Sequence, residues 1–409
     1  MGFSKVRTRS SHTLPFAPLL SQVAGDVALA NNQSYAFKHL TKMILPSVIL
    51  KAAERAKELA AHSWEYGTVS DTLLELFSPD LSVFGEPGLG GQIPIPDVEQ
   101  VPALLYAKDH IRLVGPTLVD GDGELNNSNI LIKRMLIIAG AAGDPASLGV
   151  ASILLGQRDS AYLEAAERQY DTLCRKTPRL SSGAISHREN VAEAWSDFVY
   201  MAPPFIAYYA LAKRDNEALD MAVQQCLLYK KVLQGRDGLW HHIIGPENED
   251  LGMWSTGNGW AALGMTRVLA SLIKSSANHD KQEELLDTIR GILEGAMKHD
   301  RDPKSQLIRN YIPDKSWFGD NAGTAALAAT AYRLAALYPA RRNDFAQYLQ
   351  WAEESRHVVL QHIEEDTGLV SPVVNPMDSR DRKPCKASAE GQCFALLMYT
   401  AHRDWMASI

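Results

Sequence analysis

Three segments of the chain concentrate aromatic, carboxylate, imidazole and amide side chains that together could bind and transform a small molecule. They are residues 62–71 (HSWEYGTVSD), 187–205 (HRENVAEAWSDFVYMAPPF) and 237–260 (DGLWHHIIGPENEDLGMWSTGNGW). Flat indole faces stack on the apolar faces of sugar rings while neighbouring polar groups bind hydroxyls, although a pocket of this kind also suits terpenoid or polyketide ligands. The composition therefore predicts a ligand cavity and leaves its ligand open.

Asp197 is the strongest candidate for acid–base chemistry. It begins the apolar run FVYMAPPFIAYYALA and is flanked by Trp195 and Tyr200. Burial in such a setting would raise the pKa of the carboxyl group towards the range of a general acid. Asp is also an ordinary helix N-cap, so composition alone favours the catalytic and the capping role equally.

Histidines accompany this candidate at two places. His187 precedes Asp197 and can approach it only if the intervening loop folds back. His241 and His242 are adjacent, and in an extended segment they face opposite ways, so at most one enters a cavity. The sequence holds no HExxH, CxxC or clustered carboxylate pattern, so we predict neither a metal site nor a cofactor.

The charge balance argues against one class of partner. The 409 residues include 41 Lys and Arg and 48 Asp and Glu, which gives a formal net charge of −7. Nucleic acid binds to basic faces, so we expect a small-molecule or oligosaccharide substrate instead, with the oligomeric state unknown. No stretch reaches the roughly 18 apolar residues of a membrane span, so no membrane contact is expected.

Two further features bear on location and cross-linking. The N-terminal apolar run is broken by Pro15 and Pro18 and makes a poor signal peptide, which favours a cytoplasmic location, although secretion of a precursor stays open. Four cysteines in a chain of this length do not indicate a disulfide framework, and Cys174 and Cys226 fall on apolar helical stripes.

Helical periodicity dominates the rest of the chain and predicts an all-α fold. Helical runs break at Asp-containing polar turns that recur about every 65 to 70 residues, which leaves room for six hairpins. The four turns are marked by Asp144, Asp215, Asp280 and Asp344. Six hairpins closed in a ring form an (α/α)6 barrel, and an open solenoid is the alternative.

Smaller features complete the predicted architecture. The segments 239–244 and 369–374 read as short β-hairpin-like insertions. In GNGW the two glycines permit a tight turn before a helix near Trp260, which Asn258 could cap. No linker divides the chain, so we predict one domain over 1–409 with 1–40 as an N-terminal extension.

The motifs WSDFVYMAPPF, GLWHH and WSTGNGW, in this order, resemble those of a known enzyme family. They are similar to the unsaturated glucuronyl and rhamnogalacturonyl hydrolases of glycoside hydrolase families 88 and 105, the YteR-like six-hairpin glycosidases. The C-terminal segments NAGTAALAATAYRLAAL and SAEGQCFALLMYTA are similar to the family's last two inner-helix starts. The resemblance begins near Asp120 and runs to the C-terminus, whereas the N-terminal third fits more loosely, through Trp64.

The resemblance implies a metal-independent hydrolase of carbohydrate metabolism that acts on the 4,5-unsaturated uronic acid left by polysaccharide lyases. In that chemistry an Asp protonates the vinyl ether and then helps water to add at C5, and the hemiketal collapses to release the next sugar. Asp197 matches the catalytic residue. The predicted substrate-binding residues are His187, Arg188, Trp195, His242, Trp254, Trp64, Asn127 and Trp260.

Two departures from the family pattern leave the reaction open. The family carries a second Asp at an inner-helix start about 55 residues before the catalytic one, and alignment places Asn127 there, with Asp120 and Asp122 close by. A common substrate-holding Arg is replaced by Thr256. A repurposed lyase, cyclase or isomerase acting on an unsaturated biosynthetic intermediate, or a non-enzymatic binding protein, are therefore alternatives. A second acid and a compensating cation in the cavity would favour the hydrolase, and an apolar lining would favour the repurposed enzyme.

Overall fold

The computed structural model describes residues 46–85, 93–119, 140–275 and 279–409. The described residues from Ser47 onward belong to one compact unit. The predicted extension 1–40 and the candidate Asn127 both lie outside the described residues. The predicted domain division therefore stays a prediction.

The described part of the chain is built mainly from helices. In chain order the α-helices are α1 (Ser47–Leu59), α2 (Ser63–Phe77), α3 (Pro102–Lys108), α4 (Gly149–Gly156), α5 (Ser160–Asp171), α6 (Phe198–Met201), α7 (Pro203–Lys213), α8 (Asn216–Leu233), α9 (Ser255–Lys274), α10 (His279–Met297), α11 (Asn321–Leu337), α12 (Ala346–Gln361) and α13 (Ala389–Ala407). Short 3-10 turns cover Pro79–Leu81, Val98–Gln100, Asp144–Leu148 and Pro339–Phe345, and a π turn, Thr172–Lys176, extends α5. The strands are β1 (Ala194–Trp195) and β2 (Ile243–Ile244).

Within the described residues, six helical segments close into a ring. In order they are α2, the Asp144–Leu148 turn with α4, α6 with α7, α9, α11 and α13, and each packs against the next. The last of them, α13, packs back on α2. The predicted all-α (α/α)6 barrel is confirmed, and the closure rules out an open solenoid.

An outer layer of helices covers this ring. Helices α3, α5, α8, α10 and α12 pack on α2, α4, α7, α9 and α11 respectively, and α1 packs on α13. The sequence sets the two layers apart, since α8 buries a single stripe that includes Leu219, Val223 and Cys226, whereas α9 is buried on every side over Ser255–Leu272. A one-sided apolar stripe suits a covering helix, and an all-round one suits the ring interior.

Two glycines let the inner helices approach closely near their N-termini. A Cβ at Gly323 of α11 would lie 2.3 Å from the Ser255 Oγ of α9. A Cβ at Gly67 of α2 would lie 2.2 Å from the Ser147 Oγ. Neither position tolerates a side chain without displacement, so glycine allows the starts of neighbouring inner segments to meet at one end of the ring.

The predicted turn residues agree with the structure only in part. Asp215 caps α8, because its side chain accepts from the backbone N–H groups of Glu217 and Ala218. Asp280 lies in the first turn of α10, and Asp344 lies in the 3-10 turn before α12. The prediction that Asp144 marks the turn of a hairpin is wrong, because this residue begins an inner segment. The turn of that hairpin lies between α4 and α5, and Asp159 caps α5 there.

The β-structure differs from the predicted hairpin-like insertions, because it consists of two-residue strands from separate loops and of isolated bridges. Strand β1 pairs antiparallel with β2, which joins the loop before α6 to the loop before α9. The predicted insertion at 239–244 contributes β2 and a bridge between Gln234 and Trp240. The one at 369–374 contributes isolated bridges, Ile363 with Val370 and Val373 with Cys385.

Two further predictions concern the cysteines and the absence of a membrane-spanning segment. All four cysteines are free thiols, and Cys174, Cys226 and Cys393 are buried, which confirms the predicted core role for the first two. In the part of the chain that the structure describes, no helix combines the length and hydropathy needed to cross a bilayer.

Candidate active site

Carboxyl groups gather where the inner segments begin. Asp144, Asp320 and Glu390 lie at or beside the starts of the Asp144–Leu148 turn, α11 and α13. Asp197 occupies the same position before α6. Unpaired N–H groups make a helix start favourable for negative charge. The ring therefore brings acids that are far apart in sequence to one end of the barrel.

The β1–β2 pairing places Asp197 beside His242. Trp195 pairs with Ile243 in the ladder, and the N–H of Ser196 donates to the carbonyl of His242 at 2.9 Å. The Nε2 of His242 then lies 3.4 Å from Oδ2 of Asp197. Both side chains are largely buried, with exposed fractions of 7% and 14%.

Asn258 anchors the loop that carries His242. Its Oδ1 accepts from the N–H of Trp240 at 2.8 Å, and its Nδ2 donates to the carbonyls of Trp240 and Trp254 at 2.9 and 2.8 Å. The predicted helix start near Trp260 is wrong, because α9 already begins at Ser255 with Trp254 as its N-cap. Asn258 thus lies inside the first helical turn and holds the preceding loop.

Glu193 fixes the other side of the same site. Its Oε1 accepts from the N–H groups of Glu247 and Asn248, each at 2.8 Å. Its Oε2 accepts from the indole Nε1 of Trp195 at 2.9 Å and from the amide Nδ2 of Asn248 at 3.0 Å. One carboxylate therefore locks the orientation of Trp195 and the loop 245–250 that leads to Asp250. Sequence reasoning had not singled out Glu193.

The electrostatic state of Asp197 differs from the prediction. Asp197 occupies an N-cap position, but its side chain makes no capping hydrogen bond. Burial raises the pKa of Asp197, yet the hydrogen bond and charge of His242 more than offset it, so the net pKa lies below the ordinary value. The predicted rise in the pKa of Asp197 is therefore wrong, because His242 lies against the carboxylate, a contact that no sequence pattern indicated.

His242 stands between two carboxylates. Its Nδ1 lies 3.0 Å from Oδ2 of Asp250, opposite the contact with Asp197. Burial lowers the pKa of His242, but both carboxylates raise it, and the net pKa lies above the ordinary value. Of the adjacent pair, His242 alone contacts Asp197 and Asp250. His241 is half-buried, and its Nδ1 pairs with the carbonyl of Leu251.

His187 folds back over the same site, as its conditional prediction required. Its ring stacks on Trp195 with centroids 4.7 Å apart, and its Nε2 lies 3.6 Å from Oδ1 of Asp144. Burial lowers the pKa of His187 to about 3, so the ring is neutral at neutral pH. Asp144 is itself buried. Sequence analysis missed its place here because its loop had been assigned to a hairpin turn.

Glu390 is a second acid that sequence analysis overlooked. Its side chain is 3% exposed, and its Oε1 accepts from the indole Nε1 of Trp64 at 2.8 Å. Burial, together with the charges of Glu65 and Asp197, raises the pKa of Glu390 well above its usual range. Burial and these neighbouring charges therefore favour the neutral, protonated form of the Glu390 carboxyl group. The signal that could have found it is the acid in SAEGQ, at an inner-helix start.

The remaining candidates divide between the site and the core. Arg188 is partly exposed, and its guanidinium lies 5.8 Å from the ring centroid of Trp195. Trp254 is buried and packs against the ring of His242 at 4.5 Å, so it supports that histidine from behind. Trp260 is fully buried between Tyr200 and Phe394, and this placement makes it a core residue instead of the predicted substrate contact.

Thr256, where the family commonly has Arg, performs a structural task. Its hydroxyl donates to Oδ2 of Asp320 at 2.7 Å, and the same oxygen accepts from the N–H of Gly323 at 2.8 Å. The contact ties α9 to α11. Within the described ranges, no group of three or more His, Cys, Asp or Glu side chains is arranged to hold a metal ion.

The ring of helical hairpins with acids and tryptophans at one end defines a glycosidase-type toroid, and comparison with known proteins agrees. Residues 149–400 match the sequence model of Glycosyl Hydrolase Family 88. The matched segment contains Asp197, His242 and Glu390. The chain belongs to Glycosyl Hydrolase Family 88, which confirms the family resemblance of the sequence.

Individual relatives agree with this assignment. The chain is 26% identical over 228 residues to the unsaturated rhamnogalacturonyl hydrolase YesR of Bacillus subtilis, a match that covers 53% of this chain and 61% of that protein. The match thus spans less than two thirds of that relative's length. The fold is similar to a possible member of the GH105 family from Klebsiella pneumoniae, with a TM-score of 0.66 at 15% identity over 97% of this chain and 99% of the other. It is also similar to a family 88 glycosyl hydrolase from Bacteroides vulgatus, with a TM-score of 0.59 at 13% identity over 88% and 98%.

Proposed function

We propose that this protein is a hydrolase that hydrates the 4,5-double bond of an unsaturated uronyl residue at the end of an oligosaccharide. The observation that carries the proposal is the buried contact between Asp197 and His242, flanked by the indole of Trp195. A carboxyl group paired with an imidazole can give a proton and then take one back, which is what hydration of a vinyl ether requires.

The reaction follows from this pair. Asp197 delivers a proton to C4, the C4–C5 π bond breaks, and positive charge develops on C5 and the ring oxygen. Water adds at C5, and its proton returns to Asp197. The resulting hemiketal opens and releases the neighbouring sugar with its hydroxyl. One proton is consumed and one is regained, so no oxidant or reductant is needed.

The surroundings of the pair favour an acidic sugar over an apolar metabolite. Asp144 and Glu390 provide further acids near Asp197, and Arg188 provides a cation beside Trp195. We assign to Arg188 the role of binding the carboxylate of the unsaturated uronate. Thr256, at the position where the family commonly has a substrate-holding Arg, carries no charge, and its hydroxyl is engaged with Asp320. The polar lining supports the hydrolase over a repurposed lyase, cyclase or isomerase, and over a binding protein.

The test is loss of the ultraviolet absorbance of the conjugated double bond, with unsaturated disaccharides prepared by pectin and glycosaminoglycan lyases. The proposal expects decay with at least one member of the pool. A flat trace with every member, from protein that is folded by circular dichroism, would contradict it and favour the repurposed enzyme.

Substitutions at Asp144 and Asn127 test which of the two positions corresponds to the second Asp of the family. Asp144 lies at an inner-segment start and faces His187, so we expect Asp144→Asn to lower kcat/KM by about 10- to 100-fold, the scale of a lost acid–base or positioning group. Asn127→Ala should change it less than about threefold. Michaelis kinetics of both variants decide the matter, and the reverse order of effects would restore Asn127 to the role.

A further inference from the structure

We infer that Asp250 is a positioning residue that keeps His242 doubly protonated, so that the resting site stores on His242 the proton that Asp197 delivers. The inference rests on the proposed function for its role in turnover. Its structural part, the protonation state of His242 in the unliganded protein, stands independently. Asp250 belongs to the loop NEDLGM and had no assigned role in the sequence analysis.

The geometry of the two ring nitrogens carries the argument. Nδ1 of His242 faces Oδ2 of Asp250 at 3.0 Å, and Nε2 faces Oδ2 of Asp197 at 3.4 Å. A neutral imidazole has one N–H, so it would direct a lone pair at one of the two carboxylates. That arrangement is repulsive. One additional proton, shared between Nε2 and Asp197, turns both contacts into charge-assisted hydrogen bonds.

Asp250 is itself held as an anion by a second set of contacts. The hydroxyl of Tyr311 donates to Oδ2 of Asp250, and the N–H of Gly252 donates to its Oδ1 at 2.9 Å. The hydroxyl of Ser379 lies 3.1 Å from that of Tyr311 and 3.3 Å from Nδ1 of His242. Burial raises the pKa of Asp250, but the bonds from His242 and Tyr311 outweigh it and lower the pKa to about 2.

The other groups around His242 do not reverse the preference of its ring for the doubly protonated form. Trp195 and Trp254 present aromatic rings at 5.9 and 4.5 Å. His187 is the nearby second imidazole, and it is neutral because burial lowers its pKa to about 3. The positive charge of Arg380 acts on Tyr311 and lowers the pKa of that hydroxyl, against the larger effect of burial. Asp197 and Asp250 are thus the direct ionic contacts of His242 among the described residues. Together the three groups hold one proton more than a neutral histidine between two carboxylates would.

The proton inventory fits the proposed reaction. At rest Asp197 is ionised and His242 is cationic. As the first step begins, the proton on Nε2 passes to Oδ2 of Asp197 and on to C4 of the substrate, which leaves His242 neutral. The proton released when water adds at C5 returns along the same path to Nε2. Asp250 contacts no reacting atom in this sequence and acts only through His242.

The experiment is a titration of the histidine rings by NMR on the unliganded full-length chain, with the His242 signals assigned from a His242→Gln variant. We expect His242 to be cationic at neutral pH and both ring nitrogens to carry hydrogen. A neutral His242 at neutral pH in the wild-type chain would overturn the inference. Because no substrate is present, this result is independent of whether the proposed reaction is correct.

Two variants separate the charge of Asp250 from its packing. Asp250→Asn removes the charge but keeps an acceptor for Gly252, and it should lower the pKa of His242 by at least about one unit. Tyr311→Phe removes one hydrogen bond but keeps the charge, and it should leave His242 as basic as in the wild type. An equal fall in both variants would mean that packing sets the pKa, which contradicts the role of Asp250.

Turnover supplies the second readout. Loss of the Asp250 charge weakens proton binding to His242, so the proton is lost at lower pH. The alkaline limb of kcat/KM should therefore move to lower pH by about the same amount as the NMR pKa, with KM little changed. If Asp250→Asn lowers the pKa of His242 by NMR but does not move the alkaline limb of kcat/KM, the wild-type His242 is still cationic at rest. That result would show that its proton is not the one delivered to the substrate. If the wild type turns over no unsaturated uronide, the proposed function fails and the NMR result still decides the resting state.

Discussion

Replacing Asp197 with Asn is expected to lower kcat by at least about 100-fold, the scale of a lost general acid. Asn has nearly the shape of Asp but neither gives nor accepts the proton that moves between His242 and the substrate. Because the Asp197 side chain makes no capping bond to α6, the loss should not come from helix unfolding. Kinetics with the best unsaturated disaccharide, alongside thermal unfolding, separate the two causes.

The matched control is the same substitution at Asp215. That residue caps α8 and is largely solvent-exposed, and Asn caps a helix as well as Asp. Asp215→Asn should therefore retain wild-type kcat and stability. Wild-type turnover by the Asp197 variant would remove Asp197 from the mechanism. A collapse of its unfolding temperature would instead mean that the carboxylate is structural.

The second large effect is expected on stability, from a buried ion cluster inside the ring. Glu75 lies near the C-terminal end of α2, and its carboxylate pairs with Arg267 of α9 and with Arg333 of α11, the latter at 2.6 Å. Each of these three side chains is at most 4% exposed. Asp71 and Asp404 supply further contacts to the two arginines at 3.4 and 2.6 Å. Glu75 thus joins three inner helices through charge.

Glu75→Gln keeps the shape and removes the shared anion, so both arginines lose a buried partner. We expect the free energy of unfolding to fall by about 3–5 kcal/mol, the cost of breaking a buried pair from one side. The control is Glu58→Gln, which breaks the exposed pair with Arg55 on α1 and should cost less than about 1 kcal/mol. Denaturant unfolding measures both, and equal small losses would show that the cluster contributes little.

Much of the fold was predictable because the ring repeats one unit. The 3.6-residue periodicity of the outer helices and the all-round burial of the inner ones both follow from their place in the barrel. The regular period also misled, because Asp144 was taken as a hairpin turn when it begins an inner segment. Caps at Asp215 and Asp159 show the chemistry expected of the true turns.

The site could be predicted in its residue types but not in its charges. Asp197, Trp195, His187 and His242 meet in the structure, as their motifs suggested. The lowered pKa of Asp197 depends on His242, which reaches it through the β1–β2 pairing between two separate loops. A ladder of two residues per strand leaves little trace in sequence. The partner Asp250 was hidden for the same reason.

The most direct test of the central claim follows two quantities in one reaction: the loss of double-bond absorbance and the release of the neighbouring sugar. Hydration initiated by Asp197 predicts that wild-type enzyme loses one double bond for each sugar released, and that Asp197→Asn slows both by at least about 100-fold. Release of sugar with the absorbance retained would mean direct cleavage of the glycosidic bond, and it would contradict the account.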